Sequence, residues 1–107
     1  MPKYLIQVAY SDGALADLVR QPEDRGAVIS ELVDRLGGKV EVFYHSLGQY
    51  DVVMIAEFPD NETVAAIQIA VRAAGVEKYQ NVTTLLTREE ALNALKRAGS
   101  SGYQPPS

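Results

Sequence analysis

His45, Gln7, Tyr50 and Asp51 are the side chains on which this chain could build chemistry. His45 is the one histidine, and an imidazole titrates near neutral pH without help, so it can serve as a general acid or base. The simpler reading is an interface histidine bonded to a carbonyl. Gln7 lies among apolar neighbours in the first strand-like run. A buried amide must find partners there, either across a subunit boundary or on a ligand. Tyr50 can offer its hydroxyl to a ligand, although aromatics at strand starts more often staple interfaces. Asp51 fits a structural role, accepting hydrogen bonds from turn backbone, and Gly48 supplies the positive φ that a tight turn needs. With no cysteine and a single histidine, disulfides, thiolate metal sites, cysteine nucleophiles and a multi-histidine site within one chain are excluded. No Gly-rich phosphate loop, serine nucleophile motif or metal-ligand cluster is present, and no cofactor is implied.

The elements that must position these groups follow from periodicity. Lys3 to Tyr10 alternates as a strand, with Tyr4, Ile6, Val8 and Tyr10 on one side and Leu5, Gln7 and Ala9 on the other. A helical region follows, broken at Gln21-Pro22 because proline suits a first helical turn and not an interior. In its main part Val28, Ile29, Leu32, Val33 and Leu36 repeat at helical spacing, and Gly37-Gly38 stops it. Two strand-like runs come next, Lys39 to Leu47 and Tyr50 to Phe58. A two-residue turn at Gly48-Gln49 pairs Leu47 with Tyr50, Ser46 with Asp51, His45 with Val52, Tyr44 with Val53, Phe43 with Met54 and Val42 with Ile55. In that register His45 and Asp51 lie on opposite faces, which argues against a dyad.

Both faces of the hairpin are apolar. Val40, Val42, Tyr44, Val53 and Ile55 form a compact set expected under helices, and Phe43, His45, Leu47, Tyr50, Val52, Met54 and Phe58 form the other. Pro59-Asp60-Asn61 opens a second helix with the stripe Val64, Ile67, Val71 and Ala74, and Val76 to Leu86 reads as a fourth strand. Thr87 and Glu90 have capping-box spacing. They begin a last helix whose Ala91, Leu92, Leu95 and Ala98 must dock on the body or on a neighbour.

The order β-α-β-β-α-β with a terminal helix is the α+β, ferredoxin-like arrangement: a four-stranded antiparallel sheet with both helices on one face. The opposite face is left bare, and apolar surface worth about 25 cal/mol per Å² is best hidden by a second copy. A homodimer is therefore expected, with a small apolar cleft between sheet and partner lined by Gln7, Phe43, His45, Tyr50 and Met54. Such a cleft suits a binding or accessory protein, with or without a small apolar ligand. The alternative is a cofactor-free enzyme using His45 as proton carrier. A third reading is a structural role in a larger assembly, mediated by the terminal helix.

At 107 residues, 47% hydrophobic and 22% charged, the chain reads as one globular domain over residues 1 to 99 with a loose tail from 100 to 107. A net charge of −4 with scattered Lys and Arg argues against nucleic acid and membrane surfaces as partners. No signal-like or membrane-spanning stretch is apparent, so a cytoplasmic location is expected. Arg72, Glu41 and Glu57 read as solvated charges, and Tyr4, Tyr10, Tyr44 and Tyr79 as core or rim.

Several of these segments resemble one family. Pro2-Lys3-Tyr4-Leu5-Ile6-Gln7-Val8, Leu36-Gly37-Gly38-Lys39, Phe43-Tyr44 running into Gly48-Gln49-Tyr50-Asp51-Val52-Val53, and Leu85-Leu86-Thr87 are together similar to the GYD domain, small bacterial proteins named for a Gly-x-Tyr-Asp signature. The resemblance spans roughly residues 1 to 95 and implies a dimeric α/β-barrel assembly without implying a reaction.

Overall fold

The computed structural model describes residues 1–106, with the order β1 (Lys3–Tyr10), α1 (Asp12–Arg20), α2 (Arg25–Arg35), β2 (Lys39–His45), β3 (Val52–Glu57), α3 (Asn61–Ala73), β4 (Glu77–Leu85) and α4 (Arg88–Gly99). Ser107, the last residue of the expected tail, lies outside the described residues. All strand pairs are antiparallel, in the spatial order β2-β3-β1-β4. This is the expected α+β, ferredoxin-like sheet. The break at Gln21-Pro22 separates α1 from α2, and Asp24 starts α2 by accepting from the Ala27 N–H at 3.2 Å. Asp60 starts α3 in the same way, through the Thr63 N–H at 2.8 Å.

Directly opposed residues of a sheet share a face, so the register assigns the core. Tyr4 lies opposite Ala56, Ile6 opposite Met54 and Val8 opposite Val52. This face meets Val33 of α2 and Val64 and Ile67 of α3 in a core completed by Phe58. The Tyr4 hydroxyl bonds the Asn61 side chain at the start of α3, and the Tyr4 ring packs edge-on against Phe58 at 5.8 Å. At Gly38, where the chain leaves α2 for β2, an added Cβ would stand 2.5 Å from the Glu57 carbonyl oxygen and 2.9 Å from the Val33 side chain. Only glycine lets the two backbones approach that closely.

Two expectations are corrected, and a third is narrowed. First, the hairpin keeps its register, with Phe43 opposite Met54 and His45 opposite Val52, but the strands end there and Ser46–Asp51 forms a longer loop. Gly48 takes φ +114° within it. The Ser46 N–H reaches the Asp51 carbonyl at 2.9 Å and the Ser46 hydroxyl donates to the Tyr50 carbonyl at 2.7 Å, so the loop is held from inside.

Second, the faces are reversed. The helices cover Phe43, Val52, Met54 and Phe58, whereas Val42, Tyr44, Val53 and Ile55 lie on the open face with Leu5 and Gln7. Side-chain size is consistent with this choice. The covered side carries the sheet's larger side chains, Tyr4, Phe43, Met54 and Phe58, which pack beneath the helices. Val40 belongs with the covered set because the pairing shifts between Val40 and Val42, leaving Glu41 as the extra bulge residue.

Third, of the two places expected for α4, the body is not the one it docks on. The helix contains no buried residue, and Leu92 and Leu95 are 52% and 71% exposed. The molecule extends 58 × 34 × 23 Å with a radius of gyration of 17.3 Å, against about 13 Å for a compact domain of this size. No helix among the described residues is long and apolar enough to cross a membrane.

Candidate functional site

The sequence-derived cleft residues are not brought onto one surface. Gln7 faces the open side of the sheet, where its Oε1 accepts from the Asn81 Nδ2 at 3.3 Å. Asn81 also reaches Thr83 Oγ1 at 3.4 Å, so a polar row runs beside the apolar patch of Leu5, Val53 and Ile55. At one end of that face Lys3 joins β1 to the β2 bulge through Glu41 at 2.8 Å, with Glu57 at 3.9 Å. The hydrogen bond to Glu41 raises the lysine pKa further above its ordinary value. Glu41 and Glu57 thus pair across strands and are not merely solvated.

Phe43 and Met54 lie on the covered side. His45 follows at the end of β2, exposed, with its ring edge-on to Phe43 at 5.6 Å. Among the described residues no side-chain hydrogen bond involves the His45 imidazole. Tyr50 packs edge-on against Tyr79 at 5.6 Å, and the Tyr79 hydroxyl donates to the Gln49 carbonyl at 2.8 Å. Asp51 accepts from the Tyr10 N–H at 2.9 Å. The signature residues Gly48, Tyr50 and Asp51 therefore bend the loop and fasten it to β4 and to the end of β1.

What the tertiary structure brings together instead is a cavity of about 60 Å³ between the covered sheet face and the helices. Its apolar wall includes Ile6, Phe43, Val52, Met54, Ile67 and Val71. Its polar groups are Arg25, Gln68, Glu77 and Gln80, with Tyr10. Both carboxylate oxygens of Glu77 are out of solvent and neither accepts a hydrogen bond. Desolvation raises the Glu77 pKa, against a weaker lowering pull from Arg72 and Gln80. The Arg25 guanidinium pairs with Glu23 at 2.6 Å. Burial also raises the Tyr10 phenol, with Arg25 opposing it. A second cavity of about 140 Å³, under α1, shares Tyr10, Arg25 and Val76 with the first.

Sequence reasoning passed over Glu77 and Arg25. Nothing in a glutamate at a strand start, or an arginine in a first helical turn, separates a solvated charge from one folded over a cavity. Among the described residues no group of acidic or histidine side chains is arranged to hold a metal.

Comparison with known proteins adds a family and a relative. The GYD domain model matches residues 4–95. A Thermus thermophilus protein named glutamine synthetase and cystathionine beta-lyase binding protein is 32% identical over 85 residues, which cover 79% of this chain and 90% of that protein.

Proposed function

The chain belongs to the GYD domain family, and on that premise we propose that it is an accessory protein that works by docking to other proteins, enzymes of amino-acid metabolism among them. The observation that carries this reading is α4. It is a helix of 12 residues with its apolar stripe uncovered, and a helix that short is marginal in water unless something packs on it. The Thr87 and Glu90 capping box preforms its first turn, which lowers the ordering cost of engaging a partner. The relative's name, as a protein that binds two enzymes, points the same way.

The sheet face is assigned to a second copy. Leu5, Val42, Tyr44, Val53 and Ile55 form an apolar patch with Lys3, Glu41 and Glu57 at one edge. An apolar centre with a charged rim is the usual anatomy of such an interface. Two surfaces then have two roles: the sheet makes the homodimer and α4 presents it to the partner enzyme. The catalytic alternative on His45 draws no support from its surroundings, since the ring meets Phe43 and no positioned polar group.

Light-scattering mass measurement and binding to glutamine synthetase and cystathionine beta-lyase from the same organism test both assignments. Ile55→Glu is expected to give monomers that still fold. Leu92→Glu with Leu95→Glu is expected to leave the dimer intact and to weaken enzyme binding at least tenfold. A native protein that is monomeric at tens of micromolar overturns the dimer, and unchanged binding by the α4 variant overturns the docking role.

A further inference from the structure

The orphan carboxylate of Glu77 and the apolar cavity beside it form one unit that the docking role does not use. Native proteins rarely leave a buried carboxylate without a donor, and an exception calls for an explanation such as a missing ligand. The neighbouring groups leave the need unmet: Arg25 is engaged by Glu23, Arg72 acts by charge alone, and the Gln80 amide, which also lowers the Glu77 pKa, makes the weakest of these contributions, so neither oxygen has a partner at full hydrogen-bond distance. The rest of the lining is aliphatic or aromatic apart from the amides of Gln68 and Gln80 and the groups of Tyr10 and Arg25. A cavity with one unanswered acceptor and an apolar body selects a ligand with one donor end and a short apolar end.

We propose that this cavity binds a short primary aliphatic ammonium ligand, whose ammonium donates to the Glu77 carboxylate while its alkyl chain lies among Ile6, Val52, Met54, Ile67 and Val71. A cation fits better than a neutral donor, because it supplies the opposite charge that a desolvated carboxylate lacks, and the net charge of −4 favours its approach. The volume limits the size. One water needs roughly 10–15 Å³ of such space, so about 60 Å³ admits only a handful of heavy atoms. The site lies under the helices, on the face of the sheet opposite the proposed dimer surface, so it stands or falls independently of the docking reading.

The test is titration of the full-length protein with n-butylammonium, n-butanol and butyrate, followed by methyl NMR of the isoleucine, valine and methionine side chains. Saturable shifts centred on Ile6, Val52, Met54 and Ile67 are expected with butylammonium, at least tenfold weaker with butanol, and absent with butyrate. Glu77→Gln is expected to remove the preference for the ammonium over the alcohol. Val71→Phe, which fills the space, is expected to abolish both responses. Equal binding of butanol and butylammonium by the native protein would overturn the proposal without reference to any variant. So would an undiminished ammonium preference in a folded Glu77→Gln protein, or no saturable shift at all, which would mean that water alone occupies the cavity.

Discussion

The carboxylate of Asp51 accepts a hydrogen bond from the backbone N–H of Tyr10 at 2.9 Å, and the Asp51 N–H in turn reaches the Val8 carbonyl at 2.8 Å. One residue thereby satisfies two backbone groups near the end of β1 and anchors the Ser46–Asp51 loop. Asp51→Ala leaves the Tyr10 N–H without its acceptor and should cost about 1–3 kcal/mol, a fall in Tm of several degrees for a domain of this size. Asp51→Asn retains an acceptor oxygen and should cost less. Urea titration of the two variants checks the order, and an unchanged Asp51→Ala midpoint would remove Asp51 from its structural role.

Gly38 and Gly48 are glycines for different reasons, and their alanine variants should separate them. At Gly48 space is open, so alanine meets only the strain of φ +114°, about 1–3 kcal/mol. At Gly38 the added methyl runs into the Glu57 carbonyl and Val33, and neither backbone nor core can yield cheaply. Gly38→Ala should therefore be the more damaging of the two by thermal melting.

Glu77 makes stability depend on pH in an uncommon direction. Its folded-state pKa is raised by desolvation, against opposition from Arg72 and Gln80; Arg25 and Tyr10 share the cavity. When both states are protonated there is no penalty. As pH rises through the ordinary glutamate range the unfolded chain ionises first, so stability falls until the raised value is passed and then levels off. Glu77→Gln should flatten that fall and gain on the native protein as pH rises, because it removes the desolvated charge while keeping the shape of the side chain. Urea midpoints from pH 4 to 8 compare the two proteins, and parallel profiles would refute the assignment.

Glu90 behaves in the opposite sense. Hydrogen bonds from the Thr87 backbone and side chain hold its carboxyl below the ordinary range, so the cap is intact above that range and is lost as pH falls through the lowered value. Because α4 has no buried residue, the loss should fray α4 alone. Thr87→Ala should reduce far-UV helicity and the amide protection of Arg88–Gly99 while the melting of the sheet stays in place. A coupled loss of global stability would show that α4 is packed on the body after all.

Much of the fold was legible because its signals are local. The alternation in Lys3–Tyr10, the break at Gln21-Pro22, the register of Phe43 with Met54 and the Thr87–Glu90 box each depend on residues a few positions apart, and all appear in the structure. The family signature was equally readable. Ser46 and Asp51 keep the expected backbone contact, but the strand ends short of them because the Ser46 hydroxyl turns to the Tyr50 carbonyl and the Asp51 side chain to the Tyr10 N–H, bonds to distant or looped backbone that residue types do not announce.

The choice of face and the assembly of the cavity belong to another level. Alternation sorts Phe43 and Met54 from Val42 and Ile55 but does not say which set the helices cover when both are apolar. That is settled only in the packed molecule, where the larger side chains come to lie beneath α2 and α3 and the Glu41 bulge moves Val40 across the sheet. Glu77 became a candidate only when the β1–β4 pairing set it opposite Tyr10 and the fold closed over its carboxylate. Periodicity and turn chemistry act over a few residues and can be read in order along the chain; desolvation is a property of the space around a group, and that space exists only once distant segments have packed.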